Sequence, residues 1–320
     1  MHGPIDRSEM SRDLDRDRRR HRDLLAEVLA GSSAAKVAYL IGIRRVEVLR
    51  TAPLGSGLRR LTLGGPGLAG FVSHVPDEHV RVVFPDPDGT LRLPEQDGTG
   101  LRWPRPSPPS REYTVRRHDP DALELDLDVA LHGNGVGATW AATAAPGDLV
   151  HVAGPPGGLA VPGSYDRYLL AGDITALPAI ARSLERMGRD ARGWAVIEVA
   201  DASEETELSA PPGVEVRWVH RGDAAPGLDD TWVRTVLSIA VPQDARVHVW
   251  IAGEAAAVKP LRRWARDVLG VPRVDCSITG YWKRGTAAFD DDHDHDHDDD
   301  HDHDDDHDHD ADHDDADHVR

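Results

Sequence analysis

The chain has 320 residues, one cysteine and a formal net charge of −19 at pH 7. Residues 290–320 hold 18 aspartates and one arginine, a net of −17, so the preceding body carries about −2 and offers no basic surface for nucleic acid. A lone cysteine excludes internal disulfides and cysteine-ligated clusters, no stretch approaches the roughly 18 apolar residues of a membrane span, and the length predicts two domains plus accessory segments.

Residues 1–22 are charged, and the basic run Arg16 to Arg22 is cut off from any apolar signal core by Asp23 and Glu27, which predicts a cytoplasmic protein. Leu24, Leu25, Val28 and Leu29 sit at helical spacing, so a helix is expected from Asp23 to about Leu40, packed on the first domain. From residue 42 to 163 the pattern changes to short alternating strands between Pro/Gly turns: Val46–Leu49, Arg59–Leu63, Val80–Phe84, Tyr113–Arg117, Leu123–Leu131 and Leu149–Val152. Six such runs predict an antiparallel β barrel. From 164 to 289 strands alternate with helices: strand Tyr168–Ala171, helix Leu177–Met187, strands Ala195–Val199 and Val214–Val219, helix Asp230–Ser238, strand Val247–Ala252, helix Ala255–Val268 and strand Val274–Thr279. That alternation predicts a mostly parallel α/β sheet with its ligand edge at the strand C-termini.

Two short motifs carry the chemistry. In Ser110-Arg111-Glu112-Tyr113-Thr114-Val115-Arg116 a strand points Arg111 and Tyr113 to one face, pairing a cation with an aromatic ring. In His132-Gly133-Asn134-Gly135-Val136-Gly137-Ala138-Thr139-Trp140 a glycine-rich turn runs into a helix start at Ala138, where free N–H groups and the helix dipole suit the phosphates of a dinucleotide. Together they read as a flavin site.

With these motifs the chain resembles the siderophore-interacting proteins, FAD-containing ferric-siderophore reductases of the ferredoxin-reductase-like group. Arg59-Arg60-Leu61-Thr62-Leu63, Asp77-Glu78-His79-Val80-Arg81, Pro146-Gly147-Asp148, Ala171-Gly172-Asp173-Ile174-Thr175, Trp250-Ile251-Ala252-Gly253-Glu254 and Gly280-Tyr281-Trp282-Lys283-Arg284-Gly285 extend the likeness over residues 42 to 286. The resemblance implies an FAD-binding barrel followed by a nucleotide-binding-like α/β domain, with NAD(P)H or ferredoxin as electron donor and a ferric siderophore as substrate. It implies cofactor contacts from Arg111, Tyr113, Thr114, Val115, His132, Gly133, Gly137, Ala138, Thr139, Trp140, Asp173, Thr175 and Trp282. Arg81 and Lys283 match basic positions that line the family's pocket for an anionic chelate. Two positions depart from the pattern: Pro156 stands where a basic residue is common, and Ile174 where glutamate is usual. A general flavin reductase with a protein or quinone acceptor remains open, as does a metal-buffering protein acting through its tail.

That tail, residues 290–320, is an Asp/His run too polar to bury a core and is expected to be disordered. His293, His295, His297, His301, His303, His307, His309 and His313 alternate with aspartates, an imidazole and carboxylate set suited to Ni(II), Cu(II) or Zn(II).

Overall fold

A computed structural model describes residues 22–31, 33–131, 135–286 and 289. Helix α1 covers residues 22–30 and stops at Gly31, whose amide donates to the Val28 carbonyl at 3.0 Å. The expected helix to Leu40 is therefore too long. Strand β1 (Ala35–Ala38) comes next instead, antiparallel to β11 (Gly157–Ala160), because small residues there let the two backbones meet. Val28, Val37, Tyr39, Val75 and Ala160 form a small apolar cluster beneath the pair.

The first domain is a seven-stranded antiparallel sheet curled into a barrel, in the order β7-β4-β10-β2-β3-β9-β8. Its members are β2 (Ile43–Leu54), β3 (Leu58–Gly64), β4 (His79–Val83), β7 (Ser110–Thr114), β8 (Arg117–Asp119), β9 (Glu124–Ala130) and β10 (Leu149–Ala153). A small polar hairpin, β5 (Glu95–Asp97) and β6 (Gly100–Arg102), stands apart from it. Period-two alternation decides the barrel interior. Leu61 faces Leu127 and Leu63 faces Leu125 across β3 and β9, and these pack with Val80, Val82, Val150 and Val152. Each such side chain contributes about 1.5–3 kcal/mol on burial. The expected strand Tyr113–Arg117 is two strands, because Val115 and Arg116 lie between β7 and β8.

The second domain is a five-stranded parallel sheet in the order β14-β13-β12-β15-β16. The strands are β12 (Arg167–Gly172), β13 (Arg192–Val199), β14 (Gly213–His220), β15 (Val247–Glu254) and β16 (Cys276–Trp282). Between them run α3 (Leu177–Arg186), α4 (Thr231–Leu237) and α5 (Ala255–Arg263), the last continuing as a wider turn over Trp264–Val268. Leu177, Ile180, Ala181 and Leu184 recur on one side of α3 and are buried against the sheet. The strand order reverses between β12 and β15, so a crevice opens outside their C-terminal ends at Asp173 and Glu254.

Candidate flavin and dinucleotide site

Arg111 and Tyr113 leave β7 toward α2 (Val136–Thr143), which starts two residues before the expected Ala138. Gly137 therefore lies inside the first helical turn. A Cβ there would stand 1.9 Å from the Tyr113 Oη and 3.3 Å from the Arg111 Cγ, so only glycine lets the helix sit on the tyrosine. The N-cap is Gly135, which has no side chain, and among the described residues no side chain caps the first turn. Its first N–H groups, pooled at the positive end of the helix, suit a phosphate. Trp140, one turn on, is half-buried, 5.5 Å from Phe84 edge-on and 6.1 Å from the Tyr113 ring. Burial pushes the Tyr113 phenol well above its ordinary range, so the ring offers a neutral hydroxyl. These residues fit FAD: an aromatic face, a cation and helix-start amides at one place. His132 and Gly133 lie outside the described residues, as do the tail histidines.

Val115 is turned into the protein. It is fully buried in the barrel core, its amide donates to the Glu78 carbonyl at 2.8 Å, and its own carbonyl accepts from Arg182 at 2.8 Å. Its side chain and both backbone polar groups are thus engaged within the protein. Thr114 is buried as well, with Tyr281 beside its hydroxyl, which joins the flavin strand to the end of β16.

Asp173 organises the crevice. Its carboxylate accepts from the Thr175 amide at 2.9 Å, the Thr175 hydroxyl at 2.5 Å, the Glu254 amide at 3.1 Å and the Trp282 indole at 2.8 Å. Asp173, Thr175 and Trp282 are thereby brought together, holding the ends of β12, β15 and β16 in one arrangement. Trp282 also lies over Gly227, where a Cβ would meet its ring at 3.4 Å. Ile174 points elsewhere. Its Cδ1 would be 2.5 Å from a Cβ at Gly57, so it packs into the barrel hairpin between β2 and β3 and fills a contact between the domains.

The two basic positions are engaged within the protein. Arg81 forms an ion pair with Glu112 and lies 5.4 Å over the Trp103 ring, while Lys283 sits 5.6 Å over Phe289 and bridges to Thr286. Pro156 accepts the Tyr39 amide through its carbonyl at 3.0 Å. Among the described residues no group of histidines, cysteines and carboxylates is placed to hold a metal ion, and no helix is long and apolar enough to cross a membrane.

Sequence reasoning missed the residues that join the domains: Glu78, Arg182, Tyr281 and Gly57. A signal existed for Arg182, an arginine one residue from the apolar positions of α3, yet its partners lie 67 and 109 residues away in the chain.

Comparison with known proteins agrees with this geometry. The model of the siderophore-interacting FAD-binding domain matches residues 47–159, and that of the siderophore-interacting protein matches 165–285. A ferric vibriobactin reductase of Vibrio cholerae is 33% identical over 250 residues, covering 76% of this chain and 90% of its own. An NADPH-dependent ferric-chelate reductase of Escherichia coli is 34% identical over 244 residues, covering 75% and 92%. The crystal structure of a siderophore utilization protein from T. fusca superposes with a TM-score of 0.76 at 41% identity, covering 81% of this chain and 99% of that one. A barrel with a glycine-dependent helix start, a parallel sheet with its crevice at the strand reversal, and matches spanning both halves together make this chain a member of the siderophore-interacting protein family.

Proposed function

We propose that the protein is an FAD-dependent oxidoreductase that reduces ferric siderophores with electrons from NAD(P)H. The observation that carries this is the glycine-built start of α2 resting on Tyr113 beside Arg111, in a molecule whose second domain opens a dinucleotide crevice at Asp173 and Glu254. FAD held there converts the two electrons of a hydride into the single-electron steps that Fe(III) requires. Arg111 supplies charge, Tyr113 and Trp140 supply aromatic surface, and Gly137, Ala138 and Thr139 supply the helix start. His132 and Gly133 belong to the same set by their place in the sequence. Arg81 and Lys283 serve the anionic chelate, Arg81 by exchanging its Glu112 partner for it. Fe(II) is a weaker Lewis acid for hard oxygen ligands, so reduction loosens the ion without cutting the chelator. The cytoplasm, where NAD(P)H is held, is the compartment this chemistry needs.

The test is spectroscopic. Purified protein is expected to carry or take up FAD, to be bleached anaerobically by NADPH or NADH, and to regain its absorbance on addition of a ferric chelate. Colourless protein that fails to bind FAD at saturating concentration refutes the reading. Bleaching by reduced ferredoxin alone would move the donor to that protein.

A second role belongs to the tail. Nine histidines between His293 and His318 alternate with aspartates, and neutral imidazole is a strong ligand for borderline divalent ions. Equilibrium dialysis against Ni(II) or Zn(II) is expected to show binding that is lost on deleting Asp290 to Arg320 and weakens near pH 6 as imidazoles protonate. Equal binding by the truncated chain refutes it.

A further inference from the structure

Helix α3 carries Arg182, Glu185 and Arg186 at spacings of three and four residues, and all three reach across to the barrel. Arg182 is 3% exposed. One terminal nitrogen of its guanidinium donates to the Val115 carbonyl at 2.8 Å and the other to the Ser73 hydroxyl oxygen at 2.7 Å, while the Glu78 carboxylate stands 3.8 Å away. Glu78 has no exposure at all and accepts from the Tyr39 hydroxyl at 2.6 Å, the Ser73 hydroxyl, and the amides of His74 at 2.9 Å and Val75 at 3.0 Å. At the rim, Arg116 makes two hydrogen bonds to Glu185, and Arg186 meets the His74 carbonyl.

A buried charge pair is a poor way to gain cohesion, because desolvation cancels most of the attraction and apolar side chains serve as well. A guanidinium adds direction instead: a rigid fork fixes two acceptors at a set angle. Burial holds the Arg182 pKa down to about 10, so it stays charged at neutral pH. The acceptor it fixes is the carbonyl of Val115, next in sequence after Thr114 and two residues from Tyr113. The helix that bears it begins four residues after Asp173, at the dinucleotide crevice. One side chain therefore ties the flavin strand to the element that leads out of the crevice.

We propose that Arg182 is a positioning residue that sets the spacing and angle between the flavin held on β7 and the nicotinamide held at the crevice. This rests on the FAD and NAD(P)H reading above. In the transfer concerned, a hydride, two electrons with one proton, leaves the reduced dinucleotide and ends on the flavin, and a second proton comes from water. Such a transfer needs the reacting atoms within about 3–3.5 Å, and a displacement near 1 Å costs on the order of 100-fold in rate. Onward transfer to a ferric chelate moves single electrons and needs no nicotinamide aligned on the flavin, so it is indifferent to this registry.

The experiment uses the full chain loaded with FAD. Arg182→Lys keeps a positive charge against Glu78 but loses the fork. Without donor or acceptor, amide hydrogen exchange is expected to rise in residues 110–116 and 177–186 and to hold elsewhere. Anaerobic bleaching by saturating NADPH or NADH is expected to slow about 10- to 100-fold. Reoxidation of the dithionite-reduced protein by ferric citrate should stay within about twofold of wild type, the precision that separates it from that slowing. Ser73→Ala, which removes one arm of the fork, carries the same test in milder form if the lysine variant does not fold. Unchanged bleaching, or a parallel slowing of both half-reactions, overturns the proposal. A wild-type protein that neither NADPH nor NADH bleaches defeats the donor reading first, and the proposal falls with it.

Discussion

Gly137→Ala separates a steric account of the flavin site from a merely helical one, because the two differ in sign. Alanine in place of glycine inside a helix gains roughly 1 kcal/mol from propensity, and the backbone at 137 is helical and accepts any residue. The added methyl, however, would stand 1.9 Å from the Tyr113 Oη and 3.3 Å from both the Tyr113 Cζ and the Arg111 Cγ. Ordinary carbon contacts lie at about 3.5–4.0 Å, so the tyrosine or the helix start must retreat by well over 1 Å. Overpacking of this kind costs about 1–3 kcal/mol. Because the displaced atoms are the ones assigned to FAD, the same loss in binding corresponds to roughly 5- to 150-fold in Kd. Titrating the apoprotein with FAD by fluorescence quenching, alongside thermal unfolding, measures both. A variant that melts higher and binds FAD within about twofold of wild type would refute the reasoning and release Tyr113 from the site.

Asp173→Ala takes the carboxylate from the buried Glu254 amide and from the half-buried Thr175 and Trp282 donors; at about 1–3 kcal/mol for an unsatisfied buried group, urea unfolding should register a loss of about 2–3 kcal/mol, and a loss below about 1 kcal/mol would contradict the central role given to this carboxylate. His248, 1% exposed against the Tyr165 ring with no well-aligned hydrogen-bond partner, has its pKa pushed down to about 4 by burial. Between pH 6.5 and 4 the unfolded chain therefore binds a proton that the folded chain refuses, so stability falls with acidification over that window, by up to about 3 kcal/mol for this group. His248→Phe removes this contribution, so the wild-type minus variant difference in urea midpoint should fall steadily from pH 6.5 to 4, and an identical acid profile in both proteins would sink the assignment.

The barrel and the sheet were legible because local patterns decide them. Leu61, Leu63, Leu125 and Leu127 alternate in their own segments, and Leu177, Ile180, Ala181 and Leu184 repeat with helical period, before any partner is known. The strand Ala35–Ala38 was hidden by its small residues, which favour a helix by propensity and become a strand only because Gly157 and Gly158 offer an open edge. The hairpin β5–β6 has no apolar face to announce it. That Arg111, Tyr113 and Gly137 meet is legible because they sit in two contiguous motifs. The burial of Val115 is not legible in the same way, because its place in the motif says nothing about which way the residue turns once the strand ends. Arg182, Glu78 and the fit of Ile174 against Gly57 are relations between distant segments, and composition carries no trace of such relations.

The carboxylate of Glu78 has a bearing on how the molecule comes apart. It belongs to the barrel, yet the cation facing it comes from the other half of the chain. Expressed alone, the barrel would keep the four hydrogen-bond donors to this carboxylate but lose the cation that faces it, and breaking a buried pair in this way costs about 3–5 kcal/mol, a large share of a small domain's stability. Dissection into halves should therefore give poorly folded fragments, and the intact body should melt in a single cooperative transition rather than lobe by lobe.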